Sequence, residues 1–180
     1  MTADPFDAIM GSLDVPLAVV TTAKGDERAG CLIGFHAQSS IDPGRYCVWI
    51  SKANHTYRLM LRSTHLAVHY LTSDDREIAR LFGTLSGDDV DKFTLCEAEA
   101  GAHGVPVLVG CPNRIVVRRV ALLDEGGDHV CVVTEPVETR SAGPFTPLRL
   151  SDVSDLVPGH QTGERPDPPT ERAGATRPDG

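Results

Sequence analysis

The chain has 180 residues, enough for one domain with a real core, and its 25 acidic against 17 basic residues give a net charge of −8. No Lys/Arg run stands out, which argues against nucleic-acid binding through a basic patch, and the longest apolar runs are far too short to span a bilayer. The five cysteines, Cys31, Cys47, Cys96, Cys111 and Cys131, are odd in number and show no CxxC spacing, which argues against a disulfide framework or a zinc site.

The opening segment, MTADPFDAIMGSLD, is acidic and lacks the basic start of a secretory signal, so a cytoplasmic location is the default. Asp4-Pro5 reads as an N-cap and first helical residue, with Phe6, Ile9, Met10 and Leu13 on one face of a short helix. Pro16 to Thr22 is a β-branched strand. Lys24-Gly25-Asp26 turns the chain into a partner strand from Arg28 to Ala37. After the turn Asp42-Pro43-Gly44-Arg45, Tyr46 to Ser51 reads as a third strand buried on both sides, with Trp49 in the core.

Asn54 or Ser51 caps a helix reaching about Arg62, and His65 to Leu71 alternates as a strand. Asp74 to Glu77 has capping-box spacing and starts a helix ending at Gly83 as C-cap. A further short helix is expected over Asp88 to Phe93, and residues 94–112 read as irregular. Arg114 to Leu123 and His129 to Glu138 form a second hairpin, and Leu148 to Leu150 a last strand. One domain spans residues 1–157. From 158 to 180 the chain turns to Pro, Gly, Thr and charge, the composition of a disordered tail. Antiparallel hairpins with a few short helices fit a small β-barrel with inserted helices.

Several single-sequence motifs are absent. There is no GxGxxG, Walker A loop, GxSxG elbow or HExxH. His65 and His69 lack a carboxylate or Cys partner, so no metal site is expected. The chemistry-bearing stretch is Arg28 to Arg58, RAGCLIGFHAQSSIDPGRYCVWISKANHTYR. It brings hydroxyls, an amide, a Lys and a His to the ends of neighbouring strands, an inventory suited to a phosphate on a planar, largely apolar ligand.

This stretch, with Pro16 to Thr22 upstream and Gly127-Asp128-His129 downstream, resembles the flavin reductase branch of the FMN-binding split-barrel proteins, from about Asp14 to about Val137. The resemblance implies a mainly β, Greek-key split β-barrel, homodimeric, with flavin near the subunit interface. It implies an NAD(P)H:flavin oxidoreductase that transfers hydride from nicotinamide to FMN, FAD being the alternative flavin. In some members of the family the reduced flavin passes to a partner monooxygenase.

Carried over by position, Ile33, Gly34, Phe35, His36, Ala37, Gln38, Ser39 and Ser40 hold the ring and ribityl chain. Gly34, His36 and Ala37 stand where the family usually has Ser or Thr. Lys52, Asn54, His55 and Thr56 match the phosphate segment, and His129 the residue near the nicotinamide. Two other readings stay open: a deazaflavin (F420)-dependent split-barrel reductase, and a non-catalytic flavin-binding or carrier protein.

Overall fold

The structure, a computed structural model, describes residues 4–159. Helix α1 (Pro5–Ser12) starts where expected, with the Asp4 carboxylate accepting from the Phe6 N–H at 2.8 Å, and all four of its apolar side chains, including Leu13 just beyond, are exposed. Strands β1 (Ala18–Lys24) and β2 (Glu27–Ile33) form the first hairpin, its turn made by Gly25 at φ +61°, a conformation glycine adopts without strain.

The strand expected from Arg28 to Ala37 is in fact two strands. β2 stops at Ile33, and β3 (His36–Ser40) starts after a break at Gly34-Phe35. A Cβ on Gly34 would lie 3.2 Å from Val15 Cγ2, so the corner packs closely on the chain entering β1, as glycine at a barrel corner does.

Strand β4 (Arg45–Ser51) follows, then α2 (His55–Arg62), capped by the Asn54 side chain. β5 (His65–Tyr70) leads into α3 (Arg76–Thr84). The capping box lies earlier than expected, between Thr72 and Asp75, because Asp75 Oδ2 accepts from both the Thr72 N–H and hydroxyl. Gly83 sits inside α3 rather than capping it. A Cβ there would come 2.9 Å from Leu32 Cδ2, so its role is close approach to β2.

The helix expected over Asp88 to Phe93 is only a 3-10 turn, Lys92–Thr94. β6 (Ala98–Ala100) and β7 (Pro106–Leu108) form a small ribbon within the stretch read as irregular. The long hairpin β8 (Arg114–Leu123) and β9 (His129–Arg140) completes the sheet. Leu148 to Leu150 is not a strand. Isolated bridges at Pro16–Arg149 and Thr72–Pro147 precede a 3-10 turn over Leu150–Val153. No described helix is long and apolar enough to cross a membrane.

The seven-stranded sheet has the order β2-β1-β5-β8-β9-β4-β3. Its two edge strands, β2 and β3, are consecutive in the chain. In a flat sheet six steps of about 4.8 Å would hold them roughly 29 Å apart, whereas the link from Ile33 to His36 reaches only about 10 Å. The sheet therefore curls until its edges meet. The Trp49 N–H donates to the Phe35 carbonyl at 2.9 Å, which extends the β3–β4 ladder one residue into the corner.

Inside the curl, Val20, Ile33, Val48, Ile50, Leu66, Val68, Val130 and Val132 pack with Met60 of α2. Outside it, Phe82 of α3 packs with Val19, Phe93 and Leu108. His69 is fully buried between these layers. Its Nδ1–H donates to the Val19 carbonyl at 3.1 Å, and its Nε2 accepts from the Leu108 N–H at 3.1 Å, tying β5 to β1 and β7.

Two stability predictions follow from this packing. Gly30→Ala would place a Cβ 2.7 Å from Phe82 Cε1 and 3.1 Å from the Val20 carbonyl oxygen, so urea denaturation should show a loss of about 1–3 kcal/mol. Burial lowers the His69 pKa from 6.5 to about 4. The unfolded chain then binds the extra proton first, and stability must fall as pH drops below 6.5. Urea midpoints should report about 3 kcal/mol lost from this group by pH 4, beginning above the range in which carboxylates titrate.

Candidate active site

The seam between the sheet edges opens into a cleft of about 210 Å³. Gly34 and Phe35 of the corner, Trp49 and Ser51 of β4 and His129 of β9 form one wall. Phe82 and Gly83 of α3, then Leu85 and Ser86, form the other, and Pro158 closes one side. The Gly159 N–H donates to the Gly83 carbonyl at 3.1 Å, so the start of the segment read as a tail lies against α3. Residues 160–180 lie outside the described residues.

Phe35 is 57% exposed and its ring meets His129 edge-on at 5.3 Å between centroids. Ser51 pairs with His129 across β4 and β9, which fixes the height of the imidazole. His129 Nδ1–H donates to the Asp128 carboxylate at 2.9 Å, and this bond holds the Asp128 pKa below its usual value. Nε2 is left without a protein partner among the described residues.

At the inner end of the cleft lies Lys92, only 4% exposed. Its ammonium donates to the Gly30 carbonyl at 3.1 Å and the Phe82 carbonyl at 3.2 Å. Burial lowers its pKa. The ammonium also lies over the Phe82 ring, 5.5 Å from its centroid, and no carboxylate among the described residues forms an ion pair with it.

A second cleft of about 350 Å³ lies beyond this point and shares Lys92. The partition is thin. Asn54 and Ser86 face the first cleft, while their chain neighbours His55 and Gly87 face the second. Gly87 lies flat on the His55 ring, where a Cβ would come 3.1 Å from Cδ2. The second cleft is acidic. Its Arg28 pairs with Asp91, its Asp88 accepts from Arg58, and the His55 Nδ1 lies 2.8 Å from the same Asp88 carboxylate. Arg62, beside the cleft, pairs with Glu27.

Residues 10–151 match the family described as flavin reductase like domain, most of the chain. The chain belongs to the flavin reductase-like family. It is 32% identical over 149 residues to an NADH:riboflavin 5'-phosphate oxidoreductase of Streptomyces pristinaespiralis, covering 81% of each chain. It is 27% identical over 140 residues to the reductase component of a flavin-dependent trigonelline monooxygenase of Acinetobacter baylyi, covering 74% of this chain but 42% of that longer protein. Among solved structures it superposes on a flavin reductase domain protein from Arthrobacter sp. FB24 with a TM-score of 0.70 at 22% identity, covering 80% of this chain and 90% of that one. The split-barrel architecture expected for a flavin reductase is thus the one observed.

The residues carried over from the flavin reductase motif do not all converge. Ile33, Gly34 and Phe35 line the cleft, though the Ile33 side chain points into the core. His36 turns to the inside of the sheet. Its Nε2–H donates to the Pro16 carbonyl at 3.0 Å, which leaves Nδ1 to accept from the Tyr46 hydroxyl at 2.6 Å, and burial lowers its pKa. Ala37, Gln38 and Ser39 are exposed along the edge strand, and Ser40 is half-buried beyond them.

Asn54 lines the cleft while capping α2. Lys52 pairs with Asp124 at 2.7 Å, His55 faces the acidic cleft, and the Thr56 hydroxyl is buried beside the Cys31 thiol. Trp49, expected in the core, is only half-buried and lines the cleft. Lys92 and Ser86 were not singled out by the sequence. The only signal for Lys92 is a cation next to Phe93 in an otherwise acidic turn.

The donor set fits a flavin mononucleotide. Phe35 and Trp49 offer apolar rings, Ser51, Asn54 and Ser86 offer polar groups, and the buried Lys92 ammonium has no carboxylate partner among the described residues. The Lys52–Asp124 pair, by contrast, is half in solvent, and such pairs contribute about 0–1 kcal/mol. Lys52→Ala should therefore shift the urea-derived stability by less than about 1 kcal/mol.

Proposed function

We propose that this chain is an NADH-dependent FMN reductase that holds FMN in the seam cleft. The observation that carries this reading is the cleft itself, with an exposed aromatic ring set against a carboxylate-fixed histidine at its mouth and a buried ammonium that has no carboxylate partner among the described residues. The flavin and the nucleotide named for the Streptomyces pristinaespiralis relative, riboflavin 5'-phosphate and NADH, support it.

Bound FMN would supply N5 as acceptor for the hydride of the nicotinamide C4. The protein's part is orientation, since this transfer needs stacking more than an acid or base. Backbone groups of Ile33, Gly34 and Phe35 line the polar edge of the ring. His36 anchors the corner from inside through Pro16 and Tyr46, and Ala37, Gln38, Ser39 and Ser40 continue the edge strand beyond the cleft. His129 Nε2, aimed by Asp128, contacts the nicotinamide.

One chain offers about 210 Å³, below the roughly 300 Å³ at which small-molecule sites begin. A second copy of the chain would complete the pocket, and the small volume supports a homodimer. The exposed Phe35 and Leu123 belong to the surface it would cover. A monooxygenase that takes up reduced FMN is the proposed acceptor, supported by the Acinetobacter baylyi relative. All five thiols are unpaired, which fits the reducing cytoplasm.

The test is anaerobic mixing of protein, FMN and NADH, followed by loss of visible flavin absorbance. Rapid bleaching over a protein-free control is expected; bound FMN that stays oxidised would overturn the reading. His129→Ala should lower kcat/KM for NADH by about tenfold, the value of one hydrogen bond made in the transition state.

A further inference from the structure

We propose that residues 152–159 form a strap that fixes the α3 wall of the cleft and sets how fast flavin leaves it. This inference rests on the reading of the cleft as a flavin site and adds a control on flavin exchange. The strap lies beyond residues 10–151, the span that matches the family, so it is a feature of this chain rather than of the matched domain.

The segment runs along α3 from its start to its end. Beside the first turn, the Arg76 guanidinium donates to the Asp152 carbonyl and the Asp155 carboxylate, and Arg80, one turn on, lies 4.0 Å from the same carboxylate. The hydrogen bond from Arg76 holds the Asp155 pKa below its usual value. These pairs are half in solvent and contribute little. The firmer anchors are apolar: Val153 is buried and Leu156 half-buried in the cluster that contains Phe82 of α3.

At its far end the strap meets the cleft. A helix leaves its last carbonyls without partners of its own. In α3 two of these are met from outside, Phe82 by the Lys92 ammonium and Gly83 by the Gly159 N–H at 3.1 Å. A Cβ on Gly159 would lie 2.6 Å from the Thr84 carbonyl oxygen and 2.8 Å from its carbon. Both are backbone atoms, which cannot swing aside as a flexible side chain can, so this contact requires glycine. It seats Pro158 in the cleft beside Gly83, Leu85 and Ser86. Val157, just before, is 77% exposed, so the strap beyond Leu156 rests on the contacts of Pro158 and Gly159. An attachment this short opens locally at small cost while the rest of the fold stays intact. Opening takes Pro158 out of the wall and releases the end of α3.

Gly159→Val in the full chain tests this. Its side chain must push the strap off Thr84 and break the bond to Gly83. Stopped-flow release of FMN from the loaded protein should be about 2–10-fold faster than in the wild type, the range of one net hydrogen bond. Calorimetry should show the FMN dissociation constant rising by the same factor, because such changes act mostly on release. The urea midpoint of the ligand-free chain should match the wild type, which a merely structural role would not give. Should the variant not fold, Pro158→Gly, which takes the ring out of the wall and keeps the Gly159 N–H, decides in its place, again by faster release. Release at the wild-type rate, or faster release with a fallen urea midpoint, overturns this inference and leaves the reductase reading standing. A wild-type protein that binds no flavin overturns both.

Discussion

The two-residue link between β2 and β3 governs this structure. It joins strands at opposite edges of a seven-stranded sheet, so the sheet can satisfy its chain connectivity only by curling. Curling in turn gives the apolar faces of β1, β4, β5 and β9 a shared interior. The seam it leaves is not fully hydrogen-bonded, and that is where side chains from the corner, β4, β9 and α3 face one another across a gap. Fold and cleft are thus two results of one constraint. Small residues permit it: Gly30 and Gly83 let α3 approach β2 closely enough to form the second wall.

Charge is arranged around the cleft with similar economy. On the surface, carboxylates are matched by arginines and histidines, and these pairs contribute little to stability. Inside, two cationic side-chain types behave differently. His69 stays neutral because its two nitrogens serve backbone groups on two strands. Lys92 is held by two carbonyls and lies over the Phe82 ring, with no carboxylate partner among the described residues, an arrangement that favours binding of an anion over maximal stability of the ligand-free chain.

Much of the fold was legible in the sequence because it rests on local signals. Alternation gave β5, the glycine turn gave the first hairpin, and β8 begins and ends at the residues expected. Asn54 announced α2. The corner was not legible, since Cys31 to Phe35 is an apolar run with no change of period and only Gly34 to mark the bend. The cleft was legible in part. The family motif pointed to Ile33, Gly34, Phe35, Asn54 and His129, all of which line it, but also to His36, which faces inward because Tyr46 on the neighbouring strand and Pro16 before β1 offer it partners. Lys92 and Trp49 owe their places to tertiary packing, which no local pattern encodes.

Trp49 is the chain's single tryptophan and lines the cleft, so its emission reports on this site alone. Titrating FMN while following Trp49 fluorescence is the most direct test of where the flavin lies. Saturable quenching, with a dissociation constant matching that from calorimetry, is the result expected. Unchanged Trp49 emission in a protein that still reduces FMN would contradict the account and place the flavin elsewhere.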